Sequence, residues 1–383
     1  MKPKILCLYG NALYYGHERS NIQVFKTLKE LNFTILVLTN KSGIAPEALD
    51  ILDKCSIEHE TIVYPGWSDI RKPHTLPKVI NYIFKVILHN IQFILKYFKF
   101  RPDYIYIASD FMYLNLIPSF ILIPTRIVYR IGDAPLVGWK PFKYLWKKYI
   151  TLRTYRFVCI SRFIKDKVSE AGRSNNNQDM IIYNYPPVRN SREAASKINY
   201  IKNAVTFSYL GQLIHGKGVH LIIDAALEIC HKYRGINFII AGSLEYDKLY
   251  SKELVQKVNS THFQDRILFL GPVSNMEDFF AKTDVIITPS LKEEPLGNVI
   301  VEAKSCTTPS IIFNSGGMPE LIKHKQDGFI CRESTKEGLM EAIEYYIQNP
   351  ENIMDHSQNA LDSINTLKIN YQDFRNNWEK AFA

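Results

Sequence analysis

The chain has 383 residues and is 46% hydrophobic, enough for two domains with separate cores. Its six cysteines are scattered with no C-x-x-C pair, which argues against a zinc site or a disulfide framework and fits a reducing cytosol. The formal charge of +9 is uneven: residues 1–190 hold 27 Lys+Arg against 14 Asp+Glu, and residues 191–383 hold 20 against 24. A basic half of this kind meets nucleic acid, anionic lipid or an anionic acceptor. Because its cations are interleaved with large apolar and aromatic residues, and no nucleic-acid-binding motif is present, a membrane surface is the expected partner and nucleic acid is not. No uncharged apolar run reaches 18 residues. The nearest, Phe111–Pro124, is interrupted by Pro118 and reads as buried rather than spanning.

In chain order, Met1–Gly10 is too short in its apolar run for a signal peptide and reads as a first strand, Lys4–Tyr9. Asn11–Arg19 forms a loop into a helix over about 20–31, with Ser20 as its N-cap, and Phe33–Thr39 is a second strand. Ile57–Val63 is another strand, followed by a loop. Residues 77–101 carry Val79, Ile80, Ile83, Phe84, Ile87 and Ile91 at helical spacing, with Lys78, Lys85, Lys96, Lys99 and Arg101 and no acid. This is the composition of a helix lying in the headgroup region of an anionic leaflet, and equally of a core helix with snorkelling lysines. Trp139–Tyr149 repeats the aromatic and basic mixture and favours the membrane.

Asp103–Ala108 and Arg126–Ile131 read as buried strands, the second ending in Gly132-Asp133-Ala-Pro135. Asp133 is either a polar group at a reaction centre or the cap of the following turn. A strand within Tyr155–Ile160 feeds a helix capped by Ser161, and the double proline Pro186-Pro187 closes the domain. Asn190–Asn203 is polar, lacks periodicity and reads as a linker.

The second half opens with a strand from Val205 and then Gly211-Gln-Leu-Ile-His-Gly216-Lys217-Gly218, one residue short of a phosphate-cradling G-x-x-x-x-G-K-[ST] loop. With Gly218 in place of Ser or Thr, the hydroxyl that would hold Mg²⁺ is missing, which argues against a P-loop NTPase. Gly235–Gly242 and Arg266–Gly271 add strands, each followed by a helical pattern, so a parallel sheet is expected. Val285–Ile287 is a buried strand closed by Pro289, and helical spacing resumes after Pro295. Gly297 and Asn298 then occupy a helix start, where backbone N–H groups and the helix dipole stabilise a pyrophosphate. Gly297 also permits close approach of a bulky anion. Glu294 and Glu302, with seven residues between them, are poor phosphate ligands but good acceptors for sugar hydroxyls. Taken alone, the two read first as solvated surface acids. Beyond Asp327 the chain reads as helical, with Tyr371, Phe374 and Trp378 on one face of the last helix.

The set Glu294-Pro-Leu-Gly…Glu302, Gly316-Gly317-Met-Pro319-Glu320 and Asp327-Gly328-Phe329 resembles the family 4 glycosyltransferases of the GT-B fold, whose C-terminal domains carry E-P-x-G-x-V-x-x-E and then G-G-x-P-E. The likeness covers roughly 204–331 well and the first half loosely. It implies an α/β chain of two Rossmann-like domains whose parallel sheets face each other across a cleft: 1–190 on the acceptor side, 191–365 binding the nucleotide sugar, and a helix at about 366–383 packing back on the first. By the same resemblance, Gly16, Gly211, Gln212, Lys217, Val273, Glu294, Leu296, Gly297, Asn298, Val299 and Glu302 contact the donor. Glu294, Asp133 and Lys217 act at the reaction centre. The chain departs from the family at Tyr15, where a glycine is usual, at Gln212, where arginine is usual, and at Gly132-Asp133, where a histidine is usual.

The resemblance implies a retaining hexosyltransferase that needs no metal or other cofactor and uses a UDP- or GDP-linked sugar as donor. Its acceptor is a glycan or lipid-linked molecule of cell-surface synthesis. The cysteine usage and the basic, aromatic-rich first half set the expected place as the cytoplasm, with a peripheral position on the inner face of the membrane as an option. The alternatives are a GT-B scaffold without activity and a basic nucleic-acid- or membrane-binding protein.

Overall fold

The computed structural model describes residues 2–10, 16–41, 43–66, 69, 75–138, 140–174, 176–186 and 204–383. Tyr15, Trp139 and the linker expected at Asn190–Asn203 fall outside these. The chain divides into two compact units, one of Met1–Ile182 with Gln372–Ala383 and one of Tyr183–Tyr371.

The first unit is built on a seven-stranded sheet of order β3-β2-β1-β4-β5-β6-β7. Its strands are β1 (Lys4–Tyr9), β2 (Thr34–Asn40), β3 (Glu58–Ile62), β4 (Tyr104–Ile107), β5 (Arg126–Ile131), β6 (Arg156–Cys159) and β7 (Met180–Ile181). Every pairing is parallel. β1, β2 and β4 read as near-continuous apolar runs, as in sheets covered on both faces, and β4 and β6 are buried at every position, whereas the edge strand β3 is polar and mostly unburied. Sheet order runs outward from β1 in one direction and reverses through β4 in the other, a doubly wound arrangement whose switch point lies between β1 and β4.

The first helix, Gly16–Glu30, starts four residues earlier than the sequence suggests. Ser20 is therefore not its cap. It lies one turn inside, and its hydroxyl donates back to the Gly16 carbonyl at 2.7 Å. Ser161 does cap its helix, accepting from the Ile164 amide at 3.1 Å. Residues 372–381 of the Tyr371–Ala381 helix complete this unit. Trp378 and Phe382 are fully buried, with Trp378 5.8 Å from the Tyr106 ring and Phe382 5.4 Å from that of Tyr104. Tyr371, at the start of the helix, is 39% exposed and sits 5.4 Å from Tyr185.

The second unit has a six-stranded sheet of order β10-β9-β8-β11-β12-β13, again parallel throughout. Its strands are β8 (Val205–Leu210), β9 (Ile236–Ala241), β10 (Ile267–Gly271), β11 (Val285–Thr288), β12 (Ser310–Phe313) and β13 (Gly328–Cys331). The order is that of the first six strands of the other sheet, with its switch point between β8 and β11. The helices Val219–Lys232 and Lys336–Gln348 bury Ile222, Ile223, Leu339 and Ile343 against these strands. The chain beyond Asp327 does not turn helical at once: four residues form β13 before the helix begins at Lys336. A four-residue strand is too short to show a period of two, so nothing in the pattern separates it from a helix start.

Candidate active site

At the β8/β11 switch point three loops converge on Glu294. The first follows β8 and ends in a tight turn at His215–Lys217, with Gly218 left-handed (φ +71°) ahead of the Val219–Lys232 helix. A side chain on Gly218 would place its Cβ 2.1 Å from the Pro289 carbonyl, so the two loops touch backbone to backbone. The Gly216 carbonyl accepts from the amides of Leu291 and Lys292 at 3.0 and 3.1 Å, which fixes the second loop beside the first. The third loop, Ser315–Gly317, donates its Gly317 amide to the Glu294 carbonyl at 2.7 Å. Gly316 is also left-handed, and a Cβ there would lie 2.1 Å from that same carbonyl oxygen. A glycine at 316 is thus required by the backbone around Glu294.

On this frame Lys217 and Glu294, one from each side of the switch point, form an ion pair in which the ammonium donates to Oε2. Ser290 donates its hydroxyl to the same oxygen at 3.1 Å. Both side chains keep contact with solvent, at 28% and 20% exposure. Pairs of this kind contribute only about 0–1 kcal/mol to stability, so stability alone does not explain a lysine and a glutamate held this firmly at a sheet's switch point.

The helix after β11 runs Asn298–Ser305, with left-handed Gly297 (φ +92°) as its N-cap. Leu296 is buried and seats the turn. Glu302 lies little more than one turn into the helix and is 8% exposed. Asn298 accepts at Oδ1 from the Asn184 side-chain amide at 2.7 Å, and Tyr183 donates to Glu320 at 2.7 Å. The segment just after the first unit therefore anchors both the helix tip and the Gly-Gly-Met-Pro-Glu turn. No periodic pattern marks Tyr183 or Asn184, and the sequence reading missed both.

Gly211 extends the β8 ladder, donating to the Ala241 carbonyl at 3.0 Å, and the Gln212 carbonyl accepts the Tyr209 hydroxyl at 2.7 Å. Burial, with Glu294 nearby, pushes the Tyr209 phenol well above its ordinary range and keeps it a neutral donor. Val273 and Val299 pack on one apolar cluster that includes Ala241, Phe280 and Ala303. The second unit accordingly brings Gly211, Gln212, Lys217, Val273, Glu294, Leu296, Gly297, Asn298, Val299 and Glu302 to the carboxyl ends of β8 to β11.

Gly16 and Asp133 belong to the first unit. Gly16 opens the first helix, and Asp133 is exposed in the loop after β5. His17 stands beside both. Its Nε2 hydrogen-bonds the Ala108 carbonyl at 3.0 Å, at the end of β4, and a Cβ on Gly132 would come within 2.9 Å of its Nδ1. Burial and the Arg130 guanidinium hold this imidazole below its ordinary range, against the pull of Glu18 and Asp133. With Nε2–H donating to a carbonyl, the neutral ring presents Nδ1 as an acceptor beside Gly132. A loop that lacks a histidine in sequence thus has one in space. The same loop is shaped by Asp110, which accepts from the Leu136 amide at 2.9 Å and from the Tyr129 hydroxyl; burial raises the Asp110 carboxyl to about 6.

Among the described residues no group of three His, Cys, Asp or Glu side chains is arranged to hold a metal ion, and no helix is long and apolar enough to cross a membrane.

Two doubly wound units, each with its own switch point, define the GT-B class of fold. Solved structures agree. A glycosyltransferase from Rickettsia africae superposes with a TM-score of 0.79 at 19% identity, covering 99% of this chain and 98% of that one. Anabaena HepE, solved with UDP and glucose, gives 0.75 at 21% identity over 97% and 98%. In sequence, residues 191–362 match the family model of the glycosyl transferases group 1. An uncharacterized glycosyltransferase of Methanocaldococcus jannaschii is 28% identical over 207 residues, 53% of each chain. The chain spans about half, or less, of the length of the curated relatives it matches.

Proposed function

We propose that the protein is a retaining glycosyltransferase of family 4, with the E-x7-E motif at Glu294 and Glu302, moving a hexosyl group from a nucleoside-diphosphate sugar to a lipid-linked or polysaccharide acceptor in cell-surface glycan synthesis. The observation that carries this reading is the Lys217–Glu294 pair, held at the β8/β11 switch point beside the Gly297–Asn298 helix start. Anions are favoured at such a helix tip by the peptide dipoles, and Lys217 adds a full charge within the same frame. Binding of the donor lets the ammonium turn from Glu294 to the diphosphate and leaves the carboxylate to accept from a sugar hydroxyl. Glu302, which is nearly buried, accepts from the ribose in this reading.

In the reaction the acceptor oxygen forms its bond to the anomeric carbon on the face from which the diphosphate departs. The bond from that carbon to the β-phosphate oxygen breaks, and the leaving phosphate takes the acceptor proton. Charge develops on the phosphate, where Lys217 and the helix dipole stabilise it, so neither a side-chain nucleophile nor a metal is needed. In the first unit, His17 Nδ1 and Asp133 are the polar groups beside Gly132 at the carboxyl end of β5. The crystallised complex of HepE with UDP and glucose, together with the group 1 match, supports a nucleotide-sugar donor.

Calorimetry of the full chain against UDP- and GDP-linked sugars tests the reading. One nucleotide sugar should bind selectively, and Lys217→Met should weaken that binding at least tenfold. If no nucleotide sugar binds, or if the lysine variant binds as well as the wild type, the reading fails.

A further inference from the structure

The helix over Leu76–Phe100 is laid on the first unit with its polar side inward. Tyr82 donates to Asn115 Oδ1 at 2.6 Å, the Asn90 side-chain amide donates to the Asn115 carbonyl at 2.8 Å, and Tyr97 and Thr125 join their hydroxyls at 2.5 Å. Of its 25 residues only His89 and Phe93 are buried. The opposite face carries Ile80, Phe84, Ile87, Ile91, Leu95 and Phe98, each more than half exposed. They recur every three or four residues and so form one straight ridge, about 27 Å long at the helical rise. This inverts the usual arrangement of a surface helix, in which the apolar stripe faces the core.

The ridge continues onto neighbouring segments. Ile121 and Leu122 are 65% and 75% exposed on the short helix that the Asn90 side chain fastens through the Ser119 amide at 3.1 Å. Leu152 is 77% exposed on a segment whose Arg153 donates to the Phe120 and Ile123 carbonyls at 3.0 and 2.7 Å. The charges carried by these segments are basic. The helix holds Lys78, Lys85, Lys96 and Lys99 and no acid, and Lys140, Lys143, Lys147 and Lys148 precede Leu152. Lys85 pairs with Asp69, and Lys96 and Lys99 share Glu60, which leaves the border net positive.

We propose that this face docks the protein on an anionic lipid bilayer, with the Leu76–Phe100 helix lying flat in the headgroup region and its aliphatic ridge in the acyl boundary. An apolar stripe bordered by lysines is the form that partitions into such an interface. A second copy of the chain fits less well, because a two-fold contact through this helix sets like charges against each other. The proposal stands independently of the transfer reading, since docking needs no donor.

Flotation of the full chain with vesicles, in the absence of any nucleotide sugar, tests it. The wild type should float with vesicles containing phosphatidylglycerol, and at least tenfold less with pure phosphatidylcholine or in high salt. The double variant Ile87→Glu, Ile91→Glu should lose flotation at least tenfold with an unchanged thermal unfolding midpoint, since both side chains are exposed. Lys140→Glu with Lys143→Glu should reduce the preference for anionic lipid. Failure of the wild type to float overturns the proposal. So does a double variant that floats as well as wild type, or a lipid-free dimer that the double variant abolishes.

Discussion

Glu294 is held by its backbone independently of its side chain, so this structural role and the proposed chemical one separate experimentally. Glu294→Ala should lower turnover by roughly 10² to 10³ while largely keeping nucleotide affinity, whereas Glu302→Ala should abolish donor binding. Steady-state kinetics paired with calorimetry distinguishes the two, and equal effects in both variants would contradict the assignment. Gly316→Ala forces a Cβ to within 2.1 Å of the Glu294 carbonyl at a left-handed backbone position. It should cost about 1–3 kcal/mol in thermal stability and reduce turnover through a displaced Glu294. The motif residues were legible because their spacing is local. His17 was not: its partners at Ala108 and Gly132 come from other strands, and only the sheet order puts them together.

At the scale of elements, most helices and strands were legible where an apolar pattern ran long enough. It could not say which way the Leu76–Phe100 helix faces. Periodicity locates a stripe, and the default places that stripe inward, but here the inward face is decided by Tyr82, His89, Asn90 and Tyr97, each bonded to a residue distant in the chain. β13 was hidden for the opposite reason, being too short to show any period. His89 gives the helix seat a pH dependence. Its Nδ1 donates to the Val63 carbonyl at 2.6 Å, while Nε2 is buried without a partner among the described residues. Burial lowers its pKa from 6.5 to about 4. The unfolded chain therefore binds the proton more readily, and the contribution is fully present above pH 6.5 and lost as pH falls towards 4. The whole span is worth about 3 kcal/mol. Thermal unfolding between pH 7 and 5 should show this loss, and His89→Gln should flatten it.

For the molecule as a whole, the first unit is made of two stretches of chain. Trp378 and Phe382 fill its core, Phe382 lies 5.9 Å from Phe33, and Arg156 donates to the Lys380 carbonyl at 2.6 Å. Replacing a buried tryptophan by alanine costs about 3–5 kcal/mol, and a domain holds only about 5–15 kcal/mol in total. Deleting residues 372–383 should therefore strip β1–β7 of hydrogen-exchange protection while β8–β13 retain theirs. Trp378→Ala should do the same more weakly. Uniform loss across both sheets would show that the units are not energetically separate.

That final helix also sets a timetable for biosynthesis. A ribosome releases β1–β7 long before it releases residues 372–383, so the early sheet waits with the pocket for Trp378 uncovered while the later one is already closing. The N-terminal half of the newborn protein is consequently the last to mature, and its sticky interval lasts as long as translation of everything between.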